Sequence, residues 1–182
     1  WEPEAAGRPR FETPKHRDLL YYGSNAGKRQ MVMPMLKERF GQGLFDASGS
    51  FGRQLTGLLD TAKASLYVAH SDVLSFSTWR IWQHLPSSAA MIGEPGDMWP
   101  MIHGTHYVPI PRVTFANAEE VVAELRRIVQ HADLLSHAKA LYQDLGPEFT
   151  LERCIERYLV PASESIAVRR ERRPPEPAQE PT

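Results

Sequence analysis

Short apolar runs alternate with amphipathic stretches through the middle of this chain. Asp18-Leu19-Leu20-Tyr21-Tyr22 predicts a buried strand, closed by the turn Gly23-Ser24-Asn25-Ala26-Gly27. A helix follows with Val32, Met35, Leu36 and Phe40 on one face, and Pro34 must lie in its first turns or bend it. Gly43 to Ala47 predicts a second strand. Ser50 is expected to cap a helix bearing Phe51, Leu55, Leu58, Leu59 and Ala62 at helical spacing. Ser65-Leu66-Tyr67-Val68-Ala69 is a further strand, ending at His70 and Ser71. Ser77 and Thr78 are expected to cap a short helix with Arg80 in its first turn and Ile81, Trp82 and Leu85 as its apolar positions. Pro86-Ser87-Ser88 stops that helix, and Ala89 to Gly93 returns as a strand. A loop from Glu94 to Gly104 leads to a short strand, His106 to Ile110. Asn117 is expected to cap a helix carrying Val121, Val122, Leu125, Ile128 and Val129. Two more helices, 133–145 and 150–159, complete the pattern.

Alternating strands and helices with short links predict a doubly wound α/β domain: a mostly parallel, Rossmann-like sheet with helices on both faces. Residues 1–17, with three prolines among mixed charges, read as a linker, and 18–160 as the folded domain. Residues 161–182 are expected to be a disordered tail, since Arg169 to Thr182 hold four Arg, four Pro and no large apolar side chain.

Composition narrows the function classes. With 21 Lys plus Arg against 22 Asp plus Glu, the 182-residue chain has a net charge of −1, which gives no support to a nucleic-acid or membrane-surface partner. No apolar stretch approaches membrane-spanning length. Cys154 is the only cysteine, so neither an intrachain disulfide nor a Cys-built zinc site is available, and a reducing, cytoplasmic setting is expected. A first residue of Trp rather than Met leads us to expect a piece of a longer protein.

The strand–helix–strand block from Ser65 to Gly93 carries the candidate chemistry. A parallel βαβ unit puts the end of one strand and the start of its helix at the same sheet edge, where unpaired backbone N–H groups favour an anion. Arg80 adds a fixed charge there, in a first turn where a cation is otherwise unfavourable, which suits a phosphate or diphosphate. Gly23 and Ser24 close the first strand, where a glycine lets a ligand approach the backbone, although any tight turn uses such residues. Lys28 and Arg29 either add charge beside the phosphates or form a solvated helix start. His70 either polarises the bound group or anchors its loop. Gln83 follows Arg80 by one turn and borders the same region, or is an ordinary exposed amide. Glu94, Gly96 and Asp97 follow the fourth strand at the same edge, where they contact a sugar or decorate a turn. Trp79, Trp82 and Trp99 are candidates to stack on a base, Trp82 looking more like core. His103 and His106 have no third ligand in view, so no metal site is expected. The chain has no Gly-x-Gly-x-x-Gly, no Walker A motif and no Gly-x-Ser-x-Gly elbow.

The segments Tyr22-Gly23-Ser24, Leu66-Tyr67-Val68-Ala69-His70 and Thr78-Trp79-Arg80-Ile81-Trp82-Gln83 resemble the C-terminal half of a two-domain, GT-B glycosyltransferase. The resemblance is to the group that includes bacterial spore-maturation glycosyltransferases, and it spans about residues 18–160. It implies a half that binds a nucleoside-diphosphate sugar and a separate N-terminal half that binds the acceptor, with chemistry in the cleft between them. It implies catalytic roles for Arg80 and His70 and donor binding by Gly23, Ser24, Lys28, Ser77, Thr78, Gln83 and Glu94. It also implies no metal and no cofactor besides the donor, in keeping with the lack of an Asp-x-Asp motif. Two positions depart from the family pattern. Gln83 stands where the family has a ribose-binding Glu, and Pro86-Ser87-Ser88 replaces a small Ala-x-Gly turn. The expected activity is glycosyl transfer from a nucleotide sugar. The alternative is a non-catalytic nucleotide-binding or interaction module that keeps the half-fold. A receiver-like regulator fits less well, since no acidic pocket with a strand-end Lys is evident.

Overall fold

A computed structural model describes residues 9–71, 79–95 and 101–150, together with Arg153 and Glu156. The chain divides into two units, Trp1–Pro147 and Glu148–Thr182. In the second, Arg153 and Glu156 form an ion pair at 3.4 Å. The expected helix at 150–159 and the tail at 161–182 otherwise lie outside the described residues. So do the expected caps Ser77 and Thr78.

The first unit is α/β, built on five strands that all run parallel. They are β1 (Arg17–Tyr21), β2 (Leu44–Asp46), β3 (Ala62–Tyr67), β4 (Ala90–Gly93) and β5 (Val108–Pro109). Their order across the sheet is β2-β1-β3-β4-β5. The helices are α1 (Arg29–Phe40), α2 (Gly52–Asp60), α3 (Trp79–His84), α4 (Ala118–His131) and α5 (Leu134–Leu145). Burial on both faces explains why the strands read as nearly continuous apolar runs: every residue of β4 is buried. Leu19, Tyr21, Leu66 and Ile92 point to one face, packed with Val32, Met33 and Leu36 of α1 and Val121, Val122 and Leu125 of α4. Leu20 and Tyr22 point to the other, against Leu55 and Leu59 of α2. On that face Ser65, the register partner of Leu20, meets His84 of α3. The fold is therefore the Rossmann-like, doubly wound arrangement that the alternating pattern predicts.

Several local expectations are corrected. Ser50 does not cap α2: Phe51 occupies the cap position, no side chain bonds the helix start, and Phe51 is exposed. The helical spacing of Phe51 and Ala62 is thus coincidental, since Ala62 already opens β3. Asn117 does stand at the α4 cap position, but its carbonyl oxygen accepts from the Thr114 N–H and hydroxyl behind it rather than from the helix ahead. Arg17, placed in the linker by its composition, is the first residue of β1. Lys15 is also held, donating to the Asp60 carbonyl at 2.7 Å and the Ser88 hydroxyl at 2.5 Å.

Candidate functional site

In an open parallel sheet, ligands bind outside the carboxyl ends of the strands where the winding reverses. Here the chain moves outward from β1 to β2 and then back across to β3, so the reversal lies between β1 and β3. The residues leaving those two strands are Tyr22, Gly23 and Ser24, and Val68, Ala69 and His70.

Arg80 reaches this point from α3. Its guanidinium donates to the Tyr22 carbonyl at 3.0 Å and lies over the Tyr22 ring at 4.5 Å and the Tyr67 ring at 5.1 Å. Only 8% of the residue is exposed, so the charge is directed inward. Gly23 makes this approach possible. Its φ is +134°, and a Cβ there would stand 2.7 Å from an Arg80 terminal nitrogen.

Arg29, the first residue of α1, comes in from the other side. Its Nε donates to the Val68 carbonyl at 2.7 Å, and a terminal nitrogen reaches the Ser24 carbonyl at 3.5 Å. Burial, then the neighbouring Arg80 charge, lowers its pKa. Gly23 is thus flanked by two buried guanidinium groups. Among the described residues neither of them forms an ion pair. Like charges in a poorly solvated place repel by an amount on the order of a few kcal/mol, which an anion between them would reverse.

Lys28 and Glu94 are brought together, but with each other. The Lys28 ammonium meets a Glu94 carboxylate oxygen at 2.6 Å. That carboxylate, fully buried, also accepts the backbone N–H groups of Ala69 at 2.6 Å and Val113 at 2.5 Å. It ties the ends of β3 and β4 to the start of α1 and the segment after β5. Among the described residues, the Glu94 carboxylate expected to contact a sugar is buried and turned to these three donors. The His70 carbonyl accepts the Lys28 N–H at 3.0 Å, and its exposed ring stands beside Gly27, where a Cβ would lie 2.5 Å from that same carbonyl oxygen. Ser24 is exposed, and its carbonyl also accepts from the Tyr21 hydroxyl at 3.2 Å. Gln83 and Trp82 are half-buried on α3. Gly96, Asp97 and Trp99 lie outside the described residues.

The two loop histidines act structurally. His106 is buried, its Nδ1 accepting the Ile102 N–H at 3.1 Å while Nε2 donates to Asp144 at 2.9 Å. His103 packs edge-on against Tyr107. Among the described residues no group of three or more His, Cys, Asp or Glu is placed to hold a metal ion, and no helix is long and apolar enough to cross a membrane.

The sequence pattern named Arg80 and left Arg29 undecided. It missed Tyr22 and Tyr67 as the surfaces on which the guanidinium groups rest, although an aromatic residue at each of two adjacent strand ends is a readable signal. It also missed the buried partnership of Ser65 with His84. No protein-family model matches this chain, and no curated protein matches it in sequence.

Proposed function

We propose that the crevice between the ends of β1 and β3 binds the phosphates of a nucleotide, and that the ligand is the nucleoside-diphosphate sugar of a GT-B-type glycosyl transfer. The observation that carries the reading is the pair of buried guanidinium groups, Arg29 and Arg80, on either side of Gly23 at the winding reversal. A diphosphate leaving group gains negative charge as its glycosidic bond breaks. Preorganised donors aimed at that charge lower the barrier without reorganising. Arg80 is the group assigned this role, with Arg29 and the Gly23-Ser24 backbone completing the cradle. An acceptor-binding half facing the same edge would close the cleft and exclude water. Gln83 bears on whether transfer or binding alone is performed: it accepts a hydrogen bond from a ribose hydroxyl, but without a carboxylate's charge.

The test is calorimetric titration of UDP-, GDP-, ADP- and dTDP-linked sugars against the wild type and Arg80→Ala. One nucleotide class should bind and lose at least tenfold in affinity in the variant. Binding that survives Arg80→Ala unchanged, or no binding by any class, overturns the reading.

A further inference from the structure

Beneath Arg80 lies a second buried polar group that the anion site itself does not use. His84 is four residues after Arg80 on α3, and so on the same sheet-facing side of the helix. It is 1% exposed. Its Nε2 stands 2.7 Å from the Ser65 hydroxyl in the middle of β3, and its Nδ1 stands 3.4 Å from the Ala89 carbonyl at the start of β4. A carbonyl only accepts, so Nδ1 carries a proton, and in the neutral imidazole Nε2 then accepts from the Ser65 hydroxyl. Burial keeps the ring neutral, and contacts from two strands hold it in that tautomer. Its ring lies 6.0 Å from the Tyr22 ring, the same ring over which the Arg80 guanidinium rests at 4.5 Å.

We propose that His84 is a positioning residue for Arg80: clamped by Ser65 and Ala89, it backs the Tyr22 ring and fixes α3, so that the guanidinium is held at the ends of β1 and β3. The consequence for binding rests on the reading of Arg80 as the phosphate ligand; the orientation of Arg80 does not. Among the described residues, three contacts hold the guanidinium: the Tyr22 carbonyl, the Tyr22 ring and the Tyr67 ring. Two of them belong to the residue that His84 supports. Burial, with the Arg80 charge adding to it, depresses the imidazole pKa and keeps the ring uncharged beside its cationic neighbour.

The experiment uses Ser65→Ala, which removes one hydroxyl from the clamp and keeps the helix and strand intact, with His84→Gln as the conservative partner that retains an acceptor toward Ser65. Two readouts are taken on each: the Arg80 Nε–H resonance by NMR, and the affinity for whichever of UDP, GDP, ADP and dTDP the wild type binds. In the wild type the Arg80 resonance should be sharp and protected. In Ser65→Ala it should broaden or shift, with affinity down about tenfold, while His84→Gln stays within about threefold of wild type. In an Arg80→Ala background, adding Ser65→Ala should cost no further affinity, because the clamp acts through a side chain no longer present. An Arg80 resonance unchanged in Ser65→Ala, or an equal loss of affinity in both backgrounds, overturns the proposal. If the wild type binds none of UDP, GDP, ADP and dTDP, the nucleotide reading fails, and the Arg80 resonance alone still decides the role of His84.

Discussion

Glu94 offers the sharpest measure of what holds this sheet edge in shape. In Glu94→Ala the Lys28 ammonium, 12% exposed at its side chain, loses its partner, and the N–H groups of Ala69 and Val113 lose their acceptor. Breaking a buried ion pair from one side costs about 3–5 kcal/mol, because the remaining charge is left in a place that solvates it poorly. Each orphaned buried N–H adds about 1–3 kcal/mol unless the loop relaxes to admit water. These terms share one carboxylate and do not add in full, so a loss of about 4 kcal/mol is expected. That is a large share of the roughly 5–15 kcal/mol a domain commands, and at about 3 °C per kcal/mol it lowers the melting temperature by about 12 °C. The assay is urea unfolding of wild type, Glu94→Ala, Lys28→Met and the double variant. The double variant should recover part of the loss, since it removes the stranded charge. A Glu94→Ala loss below about 1 kcal/mol would refute the claim that this carboxylate is buried and fully engaged.

Three further outcomes follow from the same geometry. Gly23→Ala should destabilise the fold by about 1–3 kcal/mol by placing a Cβ in a backbone region at φ +134°, and should displace Arg80 and abolish nucleotide binding; unchanged stability and binding would contradict both effects. Arg80→Lys keeps the charge but loses the planar group that lies on Tyr22 and Tyr67, so titration should show nucleotide affinity nearer to Arg80→Ala than to wild type. His84 takes up a proton near 6.5 when unfolded but only at about 4 when folded, so stability is fully present above pH 6.5 and falls as the pH drops toward 4. The loss attributable to this one group is about 3 kcal/mol by proton linkage, and comparing urea unfolding of wild type and His84→Gln across that window isolates it.

Much of the fold was readable because its strands are short, apolar and separated by helices with one clear face. In α4, Val121, Val122, Leu125, Ile128 and Val129 are all buried, as their spacing requires. What misled was local chemistry whose meaning depends on distant partners. Ser50 and Asn117 are both good cap residues by type, yet the Ser50 side chain bonds no helix start and Asn117 is claimed by Thr114. Phe51 continues the helical spacing of α2 but lies outside it and exposed, because periodicity alone does not register where a helix begins.

The site was less legible, for a reason that lies in the sheet order. Lys28 and Arg29 are adjacent cations at a helix start, and nothing in their spacing distinguishes them. Position 28 falls beside Glu94, supplied from the end of β4, so its charge is neutralised within the fold. Position 29 turns inward to the Val68 carbonyl, supplied from the end of β3, which neutralises nothing. The difference between a structural cation and one available to a ligand is thus set by which strand end each meets, and that follows only from β3 lying next to β1. The same adjacency brings Tyr22 and Tyr67 together beneath Arg80. An anion at this edge would meet the two guanidinium groups that form no ion pair among the described residues and not the lysine, so Lys28→Met should cost stability while leaving nucleotide affinity within about twofold. A tenfold loss of affinity in Lys28→Met would place the lysine in the cradle and dissolve this distinction.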